Sequence, residues 1–230
     1  CENCWAAQEA HIRSHQKNQK IQARYGGLTD ELGHWNGNVR FNRDALDLPW
    51  KVKRPIVWAV WTDLFHDAVT EEFIVDAWQR MLCTPWHRFL VLTKRAERMR
   101  ELVTDLFNPL PNVALGITVE SQQEDTRLND LCATPAALRY VSYEPALGPM
   151  DFTPWLRTGL LHWVIAGGES GRGSRPCNPE WIRSVRDQWK DYGVPLWFKQ
   201  WGPRGAGRLL DSIEYLRRPE WFFELKEEAR

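Results

Sequence analysis

The chain reads as an α/β domain built as a TIM-like (β/α) barrel. It is expected to be incomplete here, with the first strand missing from the fragment. Three observations predict this. Short, continuously apolar runs recur about every 25–35 residues, the distance that a strand–helix–strand crossover needs. These runs do not alternate apolar with polar, as befits strands buried on both faces beneath helices. Every run also ends in a polar or charged group, and in a parallel barrel the carboxyl ends of all strands share one rim, where active sites form. A doubly wound open sheet would bring such ends together at a single crevice only. At 230 residues the chain can bury a sizeable core. The barrel domain is expected over 1–202, with a charged tail over 203–230.

The elements follow in order. Residues 5–24 have helical spacing, and Tyr25-Gly26-Gly27 makes a turn. Trp35-Asn36-Gly37-Asn38 signals a loop or hairpin, and Val39-Arg40-Phe41 a short seventh strand. Ile56–Trp61 is the first full strand, ending in Thr62-Asp63; Glu71–Cys83 is an amphipathic helix. Phe89–Leu92 ends in Thr93-Lys94-Arg95, and the helix Glu97–Phe107 stops at Asn108-Pro109. Val113–Ile117 ends in Thr118-Val119-Glu120 and is followed by a helix over 122–132. Leu138–Val141 ends in Ser142-Tyr143-Glu144, with a short helix over 154–158 after it. His162–Ala166 ends in Gly167-Gly168-Glu169, Pro179–Tyr192 is a helix, and Pro195–Phe198 ends in Lys199-Gln200. One helix is expected near 219–228.

Lys+Arg and Asp+Glu balance at 30 each, so any nucleic-acid contact must be a local basic patch rather than a global field. The longest apolar run, Ile56–Trp61, is far too short to span a bilayer, and no membrane role is expected. Five cysteines, an odd count without a secretory signal, argue for a reducing compartment over a disulfide framework.

The rim groups are the candidate chemistry: Asp63, Lys94, Glu120, Glu144 and Lys199 as substrate or acid/base residues. Gly167 and Gly168 let backbone approach a ligand closely, with N–H groups to hold a carboxylate or phosphate, and Glu169 can accept from an ammonium or ribose hydroxyl. Arg172 and Arg175 in the Gly-rich run that follows suit a nucleotide or DNA partner, and Lys94-Arg95 is a second basic spot. At the other end of the chain, Cys1 and Cys4 can point two thiolates at one metal or cluster. The good helix formers Ala6–Ala10 put the pair at a helix start, where the dipole favours thiolate. Because the chain opens inside this motif, a further ligand is expected upstream. His11 and His15, one turn apart, complete a rival Cys₂His₂ zinc set.

Seven segments together resemble a family of phage and prophage proteins described as radical-SAM-like. They are Cys1-Glu2-Asn3-Cys4-Trp5-Ala6, Trp61–His66, Val91–Arg95, Leu115–Glu120, Ser142–Pro149, Val164–Gly171 and Phe198–Gly202. The resemblance implies a third cysteine upstream and a [4Fe–4S] cluster held by three thiolates, with S-adenosylmethionine chelated to the open iron. It implies Gly167, Gly168, Glu169 and Ser142 as cofactor-binding residues, a nucleotide or DNA base as substrate, a phage-encoded partner protein, and the cytoplasm of a bacterial host. Two alternatives stand beside it: a zinc-bound nucleic-acid-binding or structural protein using Cys1, Cys4, His11 and His15, and a metal-free barrel hydrolase or transferase working through the rim carboxylates.

Overall fold

The computed structural model describes residues 3–60, 62–171, 173–203 and 205–223. Two helices, α1 (Trp5–Ser14) and α2 (Gln19–Tyr25), and two single turns, α3 (Arg43–Leu46) and α4 (Leu48–Lys51), precede the sheet. The strands then alternate with helices: β1 (Val57–Ala59), α5 (Glu71–Leu82), β2 (Arg88–Thr93), α6 (Ala96–Leu106), β3 (Val113–Thr118), α7 (Thr126–Ala133) and β4 (Leu138–Tyr143). The series continues through α8 (Thr153–Leu156), β5 (Trp163–Ala166), α9 (Pro179–Asp191) and β6 (Leu196–Phe198), and closes with a two-stranded hairpin, β7 (Leu209–Leu210) and β8 (Ile213–Glu214).

All six main strands are parallel and lie in chain order, β1-β2-β3-β4-β5-β6. The register runs Leu90 to Ala114 to Leu138 across the centre. The order never reverses, so there is no switch-point crevice of the doubly wound kind. The sheet curls into half a barrel, and among the described residues β1 and β6 are its two edges. The outer edge of β6 is covered by the returning tail: Phe198 N–H donates to Tyr215 O at 2.7 Å and Arg217 N–H to Leu196 O at 3.0 Å. Pairing of this kind hides an edge from other chains.

Successive strand residues point to opposite faces. Val91, Leu115, Ile117, Val141, Val164 and Phe198 meet the helices through Ile74, Met99, Leu128, Ile182 and Trp189. The other face carries Leu90, Leu92, Ala114, Tyr140, Trp163, Ile165 and Trp197, and the tail residues Trp221 and Phe222 close over it. Arg88 Nε binds Trp221 O at 3.0 Å and Trp163 Nε1 binds Arg217 O at 3.0 Å, fixing that lid. On the same face the Tyr140 ring lies across Gly116, where a Cβ would come within 2.4 Å of ring atoms.

The crossover helices start where their sequences can cap them. Thr70 accepts from Phe73 N–H at the head of α5, with Glu71 and Glu72 in the first turn. Asn178 accepts from Glu180 N–H ahead of Pro179 in α9.

Four expectations are corrected. Val39-Arg40-Phe41 is not a strand. Arg40 is instead drawn to the carbonyls of Ala23 and Gly26, and Phe41 lies on the Phe73 ring with centroids 5.1 Å apart. The single helix over 5–24 breaks in two because Ser14 Oγ turns back to His11 O at 2.7 Å and Asn18 caps a new start. The helix over 122–132 begins instead as a 3₁₀ turn, Gln122–Glu124, closed by a capping box between Ser121 and Glu124. Finally, of the helix near 219–228, only Glu220–Phe222 is formed, as a 3₁₀ turn, and 224–228 lie outside the described residues.

Candidate functional site

The parallel strands bring all the predicted tips to one rim, and the rim charges sort into three groups. Asp63, after β1, is a latch between the first two tips. Its carboxylate accepts from Phe65 N–H (3.1 Å), Thr93 Oγ1 (2.6 Å), Lys94 N–H (3.3 Å) and the Arg95 guanidinium (2.8 Å). Four donors saturate both oxygens, so Asp63 orders the rim and is not a free acid or base.

The second group is centred on Glu120, whose side chain is 13% exposed. It pairs with Lys94 on one side and with Arg127, at 3.0 Å, on the other. Burial first, and the Arg127 guanidinium next, push Lys94 down to about 8, while the Glu124 carboxylate pulls the other way. Lys94 therefore carries its proton less firmly than a surface lysine does. Arg127 also holds Thr118 O at 2.7 Å, tying α7 to the tip of β3.

The third group joins the tips of β4 and β6. Lys199 Nζ bridges both oxygens of Glu144 at 2.9 and 3.1 Å, and the Gln200 amide donates to Glu144 Oε1 at 2.6 Å and to Gly168 O at 2.9 Å. Glu144 is mostly buried and Lys199 nearly half exposed. Ser142 lies on β4 with Thr118 and Ile165 as its lateral neighbours.

The expected ligand cradle at Gly167-Gly168 is used internally. Gly167 N–H donates to Tyr143 O at 3.1 Å and Gly168 N–H to Gln200 O at 2.8 Å. A Cβ on Gly168 would lie 1.9 Å from Trp201 O. The glycines are there because two backbones pass close together, not to offer N–H groups to a ligand. Glu169 is likewise committed: it is 5% exposed and receives Arg175 through N–H (2.9 Å), Nε (3.1 Å) and the guanidinium terminus (2.7 Å), plus Asn3 Nδ2 at 3.2 Å. These donors hold its carboxyl well down, at about 2, with Arg175 the principal cause. Arg175 is thus not a free basic group, and neither are Lys94 and Arg95; Arg172 lies outside the described residues.

Cys4 is the N-cap of α1 and reaches this rim. The neighbouring Asn3 also binds Gly173 O at 3.1 Å, and Cys4 is close enough to Lys94 to interact with it electrostatically. Cys1 lies outside the described residues. The Cys4 side chain makes no capping hydrogen bond to α1. The rival zinc set does not assemble: His11 Nδ1 pairs with Thr29 Oγ1 at 3.1 Å, His15 Nδ1 with His11 O at 2.8 Å, and among the described residues no three His, Cys, Asp or Glu side chains gather to hold a metal.

Sequence reasoning missed Asn3, Arg127 and Gln200 as rim residues. Nothing local marks Arg127 or Asn3, whereas Gln200 follows directly on a predicted tip. No helix among the described residues is long and apolar enough to cross a membrane. No curated protein and no solved structure matches the chain. Residues 1–215 match the family described as a protein of unknown function (DUF5131), and since this is nearly the whole length, the chain belongs to that family.

Proposed function

We propose that the protein is an iron–sulfur enzyme of the radical-SAM type, of phage or prophage origin, acting on a nucleotide or a DNA base inside a bacterial host. The observation that carries this reading is Cys4 standing at the carboxyl rim of a parallel sheet, between the tips of β2 and β5. The curled six-stranded sheet is read as part of a (β/α) barrel.

Cys4, Cys1 and an upstream thiolate would hold the cluster. The cluster and S-adenosylmethionine, when bound, supply one-electron chemistry. The chain's own residues do the rest. The N-terminal loop lies over the rim and keeps water from the mouth. Lys94, loosened by burial, can give up or take a proton at Nζ near neutrality. Lys199 Nζ and Glu144 form a second proton-carrying pair on the opposite side, steadied by Gln200. Ser142 on β4, two residues before Glu144, would offer a hydroxyl to the cofactor. A nucleobase, which offers both donors and acceptors, matches these two ion pairs, and a phage-encoded partner protein would deliver or cover it.

The test is anaerobic reconstitution of the chain. Iron and sulfide should be retained, with a broad absorbance near ~400 nm that Cys4→Ser removes. Zinc at one per chain without sulfide would overturn the reading. So would full activity in Cys4→Ser, which would favour the metal-free hydrolase or transferase built on the two Lys–Glu pairs.

A further inference from the structure

The glycine-rich loop after β5 has the composition of a phosphate cradle, but its contacts serve another purpose. A Cβ on Gly171 would lie 2.3 Å from Asn3 O and 3.5 Å from the Gln8 amide nitrogen. Gly173, at φ +77°, turns so that its carbonyl accepts from Asn3 Nδ2 at 3.1 Å. The same amide donates to Glu169 Oε2, which Arg175 braces from the far side of the loop. Asn3 and Glu169 are separated by 166 residues, so this contact ties the first turn of the chain to the tip of the fifth strand. Gly171 makes room for the Asn3 backbone, while Glu169 and the Gly173 carbonyl receive the Asn3 side-chain amide.

We propose that Asn3, Glu169, Arg175 and Gly171 form a latch that seats Asn3 at the tip of β5 and so holds the adjoining Cys4 at the rim. They are positioning residues: none touches the reacting atoms, and they act through where they hold Cys4. The inference rests on the iron–sulfur reading for its purpose but not for its detection, because the latch exists in the metal-free chain.

The test uses the full chain without metal. Cys4 alkylation by iodoacetamide is followed by peptide mass spectrometry, with the exposed Cys83 as internal reference. The Asn3 amide makes two hydrogen bonds to the latch, so Asn3→Ala should raise the Cys4 rate about tenfold relative to Cys83. Gly171→Ala, which leaves the Glu169–Arg175 pair in place, should do the same by displacing residue 3. Asn3→Gln keeps an amide and should recover most of the protection. A Cys4 rate within about twofold of the native in both Asn3→Ala and Gly171→Ala overturns the latch. Asn3→Ala removes a side chain near the chain start and leaves the core intact, so folding does not cloud the result. Iron content after reconstitution is measured separately on the native chain. Failure there sinks the iron–sulfur reading while the alkylation result still judges the latch.

Discussion

Replacing Glu169 by Gln isolates the most heavily braced carboxylate of the rim. Its side chain is 4% exposed and accepts from four donors, three of them on Arg175. Breaking a buried pair from one side costs ~3–5 kcal/mol when both partners are dry. Arg175 is 43% exposed and can rehydrate, which lowers the expected loss to ~2 kcal/mol near neutrality. The pH dependence is the sharper test. The Glu169 carboxyl titrates at about 2 in the folded chain against an ordinary 4.5, so the unfolded chain binds its proton first as the pH falls. Its stabilisation is therefore complete above about pH 5 and drains away as the pH drops through 4.5 toward 2. Lowering the pH from about 6 to about 3.5 should shrink the native advantage over Glu169→Gln by ~1 kcal/mol, after discounting for the exposure of Arg175. Urea unfolding of both proteins across that range measures the gap, and the subtraction cancels the other carboxylates. A gap that stays constant with pH would show that Glu169 is not ionised against Arg175, and the reasoning fails.

Other outcomes follow from the same contacts. Gly116→Ala forces a methyl into the Tyr140 ring, which is 2% exposed and has no room to move, and should cost ~1–3 kcal/mol by thermal unfolding; combining it with Tyr140→Leu should recover part of that loss. Lys199→Ala removes a partner that is 46% exposed, so stability should change by less than ~1 kcal/mol, while on the proposed iron–sulfur reading turnover should fall by ~100-fold or more with iron content unchanged. On the same reading the double variant His11→Ala, His15→Ala should retain iron on reconstitution, whereas a zinc site on those rings would lose its metal. Deleting residues 215–223 bares the edge of β6 and the face around Trp163 and Trp197, and light scattering should register aggregation at concentrations where the intact chain is clear.

Local pattern located the six parallel strands, closely where the run is buried on both faces: Val113–Ile117 becomes Val113–Thr118, and Pro195–Phe198 becomes Leu196–Phe198, whereas Ile56–Trp61 yields only Val57–Ala59, whose outer residues are exposed. It also put Asp63, Lys94, Glu120, Glu144, Glu169 and Lys199 on one rim, since parallel strands must end on the same side. Tertiary structure decided what those charges do. Whether a carboxylate is free or saturated depends on donors such as Arg127, Arg175 and Asn3, which arrive from other elements and leave no periodic trace in sequence. Gly167 and Gly168 read as a ligand cradle, with Gly171 in the run that follows, yet the first two N–H groups go to Tyr143 O and Gln200 O, and the open faces of Gly168 and Gly171 are taken up by the backbones of Trp201 and Asn3. Whether Val39–Phe41 formed a strand was likewise settled by neighbours, because a short apolar alternation has no ladder unless a free edge lies beside it, and here Arg40 found the carbonyls of α2 and its turn instead.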